Sequence, residues 1–235
     1  MHPGIVAAMT REARILAGGP VRAGEVIRLR NGALFLLSGI GAGRARSAAQ
    51  VLIEKGATVL ISWGFASGLA PDLPPGSLIL PERIASLDQS IYCVDPAWHA
   101  KMCDLLKTHV ASCGGTIAEV DLIMPSEREK AALYKLTGAI AADMESASIA
   151  LAAAREKIPF AVVRAITDPA NVFIPGCVLH SIDEYGQLCL AAFFLHLIRN
   201  PLELPALARL GRSYLAARDT LTRAARAADC GFKPS

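Results

Sequence analysis

Four stretches of this 235-residue sequence combine residue types and spacings that could do chemistry. Ser38-Gly-Ile-Gly-Ala-Gly-Arg-Ala-Arg46 follows an apolar run and opens an amphipathic one. Backbone N–H groups at such a junction, Gly41 among them, can hold an anion or a ligand oxygen. As a dinucleotide fingerprint the stretch fails, because its third glycine comes one residue early and no acid ends the next strand. A tight strand-to-helix turn calls for glycines with or without a ligand. Trp63-Gly-Phe-Ala-Ser-Gly-Leu-Ala70 makes a second small-residue turn after the next apolar run. In Ala142-Asp-Met-Glu-Ser-Ala147 a strand end runs into a helix, whose dipole favours Glu145 in its first turn. An ordinary acidic helix start capped by Asp143 reads the same way. Arg164-Ala-Ile-Thr-Asp-Pro169 sets Asp168 just past an apolar strand, where a turn or capping aspartate is equally at home.

Short apolar runs alternating with longer amphipathic ones must position these groups. Residues 5–8, 34–37, 59–63, 77–80, 139–142 and 160–166 read as strands, and 43–55, 97–111, 126–136, 144–157, 182–197 and 204–228 as helices. Three of the strands are almost continuously apolar, as strands covered on both faces are. The alternation predicts a single α/β domain with a mixed, largely parallel central sheet flanked by helices. That domain takes up 1–198, and 199–235 is its basic, amphipathic helical extension. Ser126 and Glu129 have the spacing of a capping box. In an open sheet the two glycine turns converge at strand carboxyl ends, the face where ligands bind.

Composition narrows the function classes. With 53% hydrophobic and 19% charged residues the chain is not intrinsically disordered. The longest uncharged runs, 56–71 and 185–198, fall short of the ~20 residues of a membrane span. No secretory signal is expected, since the apolar run 5–9 has no basic region before it. Six cysteines lie far apart without a C-x-x-C pair and read as reduced thiols in a cytoplasmic protein. Residues 1–198 carry 17 basic and 18 acidic side chains, against 7 and 3 in 199–235. The body is too neutral for a nucleic-acid binder.

In order along the chain, G-I-V-A-A-M-x-x-E, S-G-I-G, W-G-F-A-S-G-L-A, D-M-E-S-A and V-V-R-A-I-T-D resemble the nucleoside phosphorylase superfamily over about residues 4–195. The likeness is greatest to the branch with the methylthioadenosine/S-adenosylhomocysteine nucleosidases. It implies cleavage of an N-ribosyl bond, with Glu12 as the water-activating carboxylate, Met144 and Glu145 holding the ribose, and Asp168 protonating the purine. It further implies a purine site of Phe65, Ala66 and Ser67 with Ile123 and Met124, and an anion or nucleophile pocket at Gly41 and Arg46. The chemistry agrees. Such cleavage passes through an oxocarbenium-like state. Adenine leaves poorly as an anion, so an acid must serve N7, and a small apolar pocket would raise the pKa of Asp168 to suit. No two of the five histidines stand at ligand spacing, so neither a metal nor an organic cofactor is expected.

Two departures leave the nucleophile open. Where the family's phosphorylases carry an arginine and a small hydroxyl residue, this chain has Ser62 and Phe65. Inorganic phosphate as co-substrate would then need Arg11, Arg14, Arg44 or Arg46; Glu12 favours water. The segment Asn200-Pro-Leu-Glu-Leu-Pro-Ala-Leu-Ala-Arg-Leu-Gly-Arg212 resembles the hopanoid-associated phosphorylases. That resemblance implies an adenosylhopane-like nucleoside with a bulky 5′ group, and residues 171–180, apolar with a Pro-Gly break directly after Asp168, are the candidates to wall that group. Leu207, Leu210, Tyr214, Ala217, Leu221 and Ala224 form one helical stripe with arginines mostly opposite. The stripe suits weak peripheral contact with the inner face of a membrane, or packing on its own domain or a subunit partner. A soluble methylthioadenosine/S-adenosylhomocysteine nucleosidase is the alternative enzyme, and a purine-binding sensor the non-enzyme one. The family makes a homo-oligomer the default.

Overall fold

The computed structural model describes residues 2–107 and 111–231. Its strands are β1 (Pro3–Ala7), β2 (Val26–Arg28), β3 (Leu34–Leu37), β4 (Val59–Gly68), β5 (Leu78–Ile79), β6 (Arg83–Ala85), β7 (Ile91–Cys93), β8 (Ser112–Cys113), β9 (Thr116–Glu119), β10 (Ala141–Asp143) and β11 (Phe160–Asp168). The helices are α1 (Thr10–Ala17), α2 (Ala42–Glu54), α3 (Pro96–Leu106), α4 (Glu127–Thr137), α5 (Ser146–Glu156), α6 (Gly176–Leu179), α7 (Leu190–Arg199) and α8 (Leu204–Gly231), with a 3-10 turn at Pro201–Glu203 before α8.

The strands form one mixed, mostly parallel sheet in the order β2-β3-β1-β4-β10-β9-β6-β7, with β11, β5 and β8 branching from β4. Strand β4 is the hub. Its first half runs parallel between β1 and β11, and its last residues pair antiparallel with β10, Ser67 opposite Ala142. Helices cover the sheet, and the Ser126–Glu129 capping box closes the start of α4 in both directions.

Four expectations about elements are corrected. Strand β4 does not stop at Trp63 but runs through the small residues to Gly68, because β10 and β11 supply partners that override their weak strand propensity. Strand β11 likewise includes Asp168 as its last residue. The helix expected over 182–197 starts only at Leu190. Before it, Ile182 and Leu188 bridge a turn closed by Asp183 Oδ1, which accepts from the N–H groups of Tyr185 and Gln187 at 2.8 Å each. The helix expected over 97–111 ends at Leu106, and 108–110 lie outside the described residues. The sequence reading also missed β2, β6, β7, β8 and β9, strands of two to four residues, too short to show a period.

Helix α8 packs on β11, α1 and α3. Ala217, Leu221 and Ala224 of its stripe are fully buried, and the Thr220 hydroxyl donates to Gly76 O at 2.7 Å. This half of the stripe belongs to the protein's own core. Leu221→Ala should cost about 2–5 kcal/mol in urea unfolding. Leu215→Ala, on the half-exposed side of the same helix, should stay within about 0.5 kcal/mol.

Candidate active site

A cavity of about 370 Å³ opens at the carboxyl ends of β4 and β11. Glu12, Phe65, Ala66, Ser67, Ile123, Met124, Met144, Glu145 and Asp168 all line it. Chain segments more than a hundred residues apart meet there because β1, β4, β10 and β11 are neighbours in one sheet.

Glu12 sits in the first turn of α1, 1% exposed. Its Oε2 accepts from Ala8 N at 3.0 Å and Met9 N at 2.9 Å, and its Oε1 from Phe65 N at 2.7 Å. Burial pushes its pKa up, against the pull of Arg164 and those three N–H groups. A Cβ at Gly64 would collide with Glu12 Oε1 and with Arg164 Nη1. Only glycine lets both charged groups reach the β4 backbone at that point.

Arg164 went without a role in the sequence reading. It is 1% exposed in the middle of β11. Its Nε donates to Asp143 Oδ2 at 2.7 Å and its Nη2 to Ser62 Oγ at 2.7 Å, and Glu145 Oε2 lies 3.6 Å from Nη2. Ser146 Oγ bonds to Ser62 Oγ and to Asp143 Oδ2. Burial works against the guanidinium charge, but Asp143, Glu145 and Glu12 outweigh it and raise its pKa. Ser62, read as a departure from the phosphorylases, is thus a partner of the buried arginine.

Glu145 is the N-cap of α5 rather than a first-turn residue, and Asp143 Oδ1 accepts from the Glu145 and Ser146 N–H groups. The glycine turn does hold an anion-forming group, but one from the same chain: Gly41 N donates to Glu145 Oε1 at 3.0 Å. Gly41 has φ +108°, a conformation that favours glycine. Arg46 is exposed on α2 and is not among the lining residues, so the structure does not bring it to the pocket. Arg14 is exposed as well and Arg44 faces Glu184 at 3.7 Å, both off the lining. Arg11 alone of the four lines the cavity, its guanidinium 5.2 Å from the Tyr214 ring centre. Phe65 meets the same ring at 5.5 Å, so α8 supplies what this aromatic departure packs against.

Asp168 does not sit in the purely apolar pocket expected for it. Lys130 Nζ lies 2.8 Å from its Oδ2, and the Thr167 hydroxyl donates to Oδ1 at 2.7 Å. Lys130 carried no signal in the sequence beyond its place in a helix. Among the described residues no three His, Cys, Asp or Glu side chains gather as a metal site would need.

Residues 7–183 match the family model described as the phosphorylase superfamily, and the chain belongs to that family. It is 28% identical over 157 residues to a 5′-methylthioadenosine/S-adenosylhomocysteine nucleosidase of Oceanobacillus iheyensis, covering 59% of this chain and 69% of that one. It is also 28% identical over 152 residues to an aminodeoxyfutalosine nucleosidase of Campylobacter jejuni, covering 57% and 66%. The chain thus spans about two thirds of these relatives. The fold matches the Helicobacter pylori 5′-methylthioadenosine/S-adenosylhomocysteine nucleosidase with butyl-thio-DADMe-Immucillin-A, at TM-score 0.70 and 18% identity over 97% of this chain and 98% of that one. The chain is therefore an enzyme of the nucleosidase and phosphorylase family, whose chemistry is N-glycosyl cleavage.

The carboxyl group of Glu145 makes a testable contribution to stability. Burial first, and then Asp143 and Glu12, push its pKa up to about 8, against Arg164 and the Gly41 N–H. Between pH 4.5 and 8 the unfolded chain has lost this proton and the folded chain keeps it. The stability it contributes is therefore present below pH 4.5 and lost as pH rises to about 8. Glu145→Gln removes the titration. Its unfolding free energy minus that of the wild type should increase across this window and level off above it, as read by urea unfolding at several pH values.

Proposed function

We propose that the protein hydrolyses the N-ribosyl bond of an adenine nucleoside with a 5′ thioether substituent, in the manner of the methylthioadenosine/S-adenosylhomocysteine nucleosidases. One observation carries this reading: three separately held carboxyl groups, Glu12, Glu145 and Asp168, surround one mainly apolar cavity. Asp168 gives its proton to N7 as the C1′–N9 bond breaks and its electron pair enters the purine. Glu145, beside Gly41 N, takes the ribose hydroxyls, with Met144 against the sugar. Phe65, Ala66 and Ser67 face the base from β4, and Ile123 and Met124 face it from the segment after β9. Glu12 orients water towards C1′ and takes its proton, giving adenine and the free sugar.

Water is favoured over phosphate by the arginines. Arg164 is engaged through Nε and Nη2 by Asp143, Ser62 and Ser146, which leaves Arg11, over the Tyr214 ring, as the one arginine of the cavity lining that a phosphate would have to use. With 5′-methylthioadenosine in phosphate-free buffer, the protein should release adenine and free methylthioribose. A strict need for phosphate, with a sugar 1-phosphate as product, would make it a phosphorylase. Folded Asp168→Asn should be slower by about two to four orders of magnitude, because its amide has no acidic proton to give.

A second reading, a lipid-linked nucleoside of the adenosylhopane kind, draws on α7. This ten-residue helix, LAAFFLHLIR, buries none of its side chains. Leu190, Phe194, Leu195 and Ile198 are exposed, as are Leu202 and Leu204 just beyond. Leu188, Phe193, Leu207 and Leu210 of the same region line the cavity, as do Ile174, Val178 and Leu179, so apolar surface continues from outside to inside. Residues 189–218 carry four arginines and one acid, Glu203. Each basic group near an anionic surface is worth roughly 1 kcal/mol, enough for weak, salt-sensitive adsorption. No helix among the described residues is long and apolar enough to cross a membrane. The wild type should co-sediment with anionic liposomes at low salt, and Phe194→Asp/Ile198→Asp should not. Equal behaviour of the two proteins would remove α7 as a membrane contact.

A further inference from the structure

Lys130 has no part in the reaction as drawn above. Every other residue of α4 is exposed or half-buried, and Lys130 is completely buried. Lysine is among the residue types least often found so. Its Nζ donates to Asp168 O at 3.0 Å, Pro169 O at 3.1 Å and Val172 O at 2.9 Å. Three carbonyls use its three N–H groups. The carboxylate oxygen Asp168 Oδ2 lies closer still, at 2.8 Å, yet outside hydrogen-bonding angles and closed to solvent. The Lys130 charge therefore acts on this carboxyl group through space rather than through a hydrogen bond. The other oxygen, Oδ1, takes the Thr167 hydroxyl.

We propose that Lys130 is a positioning residue for departure of the base. It pins the turn 168–172 that carries Asp168, and it supplies the positive charge against which that carboxyl group ionises. This rests on the nucleosidase reading. In the step itself the Asp168 O–H bond breaks, an N7–H bond forms, and the C1′–N9 electron pair passes into the purine. The negative charge left on Asp168 meets an ammonium already in place. A carboxylate formed in a buried site without such a partner is costly. A partner fixed beforehand lowers the barrier without reorganising during the reaction. A lysine that merely tied α4 to the turn would affect all leaving groups alike. This one acts where the leaving group needs a proton.

Two ribosides with the same 5′-methylthio sugar separate these roles: one carries adenine, the other 4-nitrophenol, which departs as its anion unaided. In folded Lys130→Met, the ratio of adenine release to nitrophenol release should fall about 100-fold. Lys130→Gln, which keeps an N–H donor for the carbonyls but no charge, should lower the ratio in the same direction. In an Asp168→Asn background, Lys130→Gln should add almost no further loss of adenine release, because the group it serves is gone. Equal losses for both ribosides, an unchanged ratio, or additive losses in the double variant would overturn the proposal. So would failure of both Lys130 variants to fold, which would make the residue structural. If the wild type cleaves neither riboside, the nucleosidase reading itself fails, a result distinct from a wild type whose ratio Lys130 does not control.

Discussion

A guanidinium with almost no exposure organises the cavity floor. Arg164 brings a fixed positive charge into the middle of the sheet, and a buried charge is tolerated only when paired and hydrogen-bonded. Asp143 neutralises it directly, Ser62 and Ser146 accept from its Nη2, and Glu145 and Glu12 share its field. The demand reaches into each neighbouring strand. Ser62 must be small and hydroxylated, Gly64 must lack a side chain, and β10 must end in an acid just before the α5 cap. The guanidinium also keeps Glu12 and Glu145 from being simply a repelling pair. Its pull opposes the burial that raises both their pKa values, and burial is the larger effect in each.

Four residues further along the same strand, Asp168 has its own cation. Strict alternation would keep one register with β4 to the end of β11, but the pairing shifts between Ile166, opposite Ala66, and Asp168, opposite Ser67. Such a bulge re-aims side chains at the end of a strand. Thr167 thereby has its hydroxyl beside Asp168 Oδ1, and Lys130 reaches Oδ2 from α4. Two buried cations on different elements thus face different carboxyl groups around one cavity, Arg164 beside Glu145 and Lys130 beside Asp168.

How much of this could be read from the sequence depends on the range of the cause. Glu12, Glu145 and Asp168 were visible because each lies in a short run that also encodes its local frame: a helix start, a strand-to-helix junction and a strand end. The long strands were visible because their apolar runs report burial on both faces. Arg164 lay in one of the motifs, but nothing along the chain says that an arginine within a strand faces two carboxyl groups on another element. Lys130 was harder still, since its surroundings on α4 read as a solvated charged helix. Gly64 looked like part of a turn, and its real constraint comes from side chains 52 and 100 residues away in sequence. Periodicity extends the apolar run at 182–197 as one helix, because it does not reveal a turn whose closure depends on a single aspartate oxygen.

The placement of α8 sets an order of events during synthesis. All eleven strands of the described residues are made before this helix, yet Leu207, Leu210 and Tyr214 form part of the cavity wall, and α8 packs on β11 with Leu221 buried. A nascent chain that has already paired its sheet therefore still shows water the apolar faces of β11 and Phe65. At roughly 5–20 residues per second, the ribosome needs on the order of seconds to add this helix and bring it clear of the exit tunnel. During that interval the half-built protein leaves those apolar faces in water, and its cavity lacks the wall that Leu207, Leu210 and Tyr214 supply. Completion of the wall and protection from aggregation are the same late event.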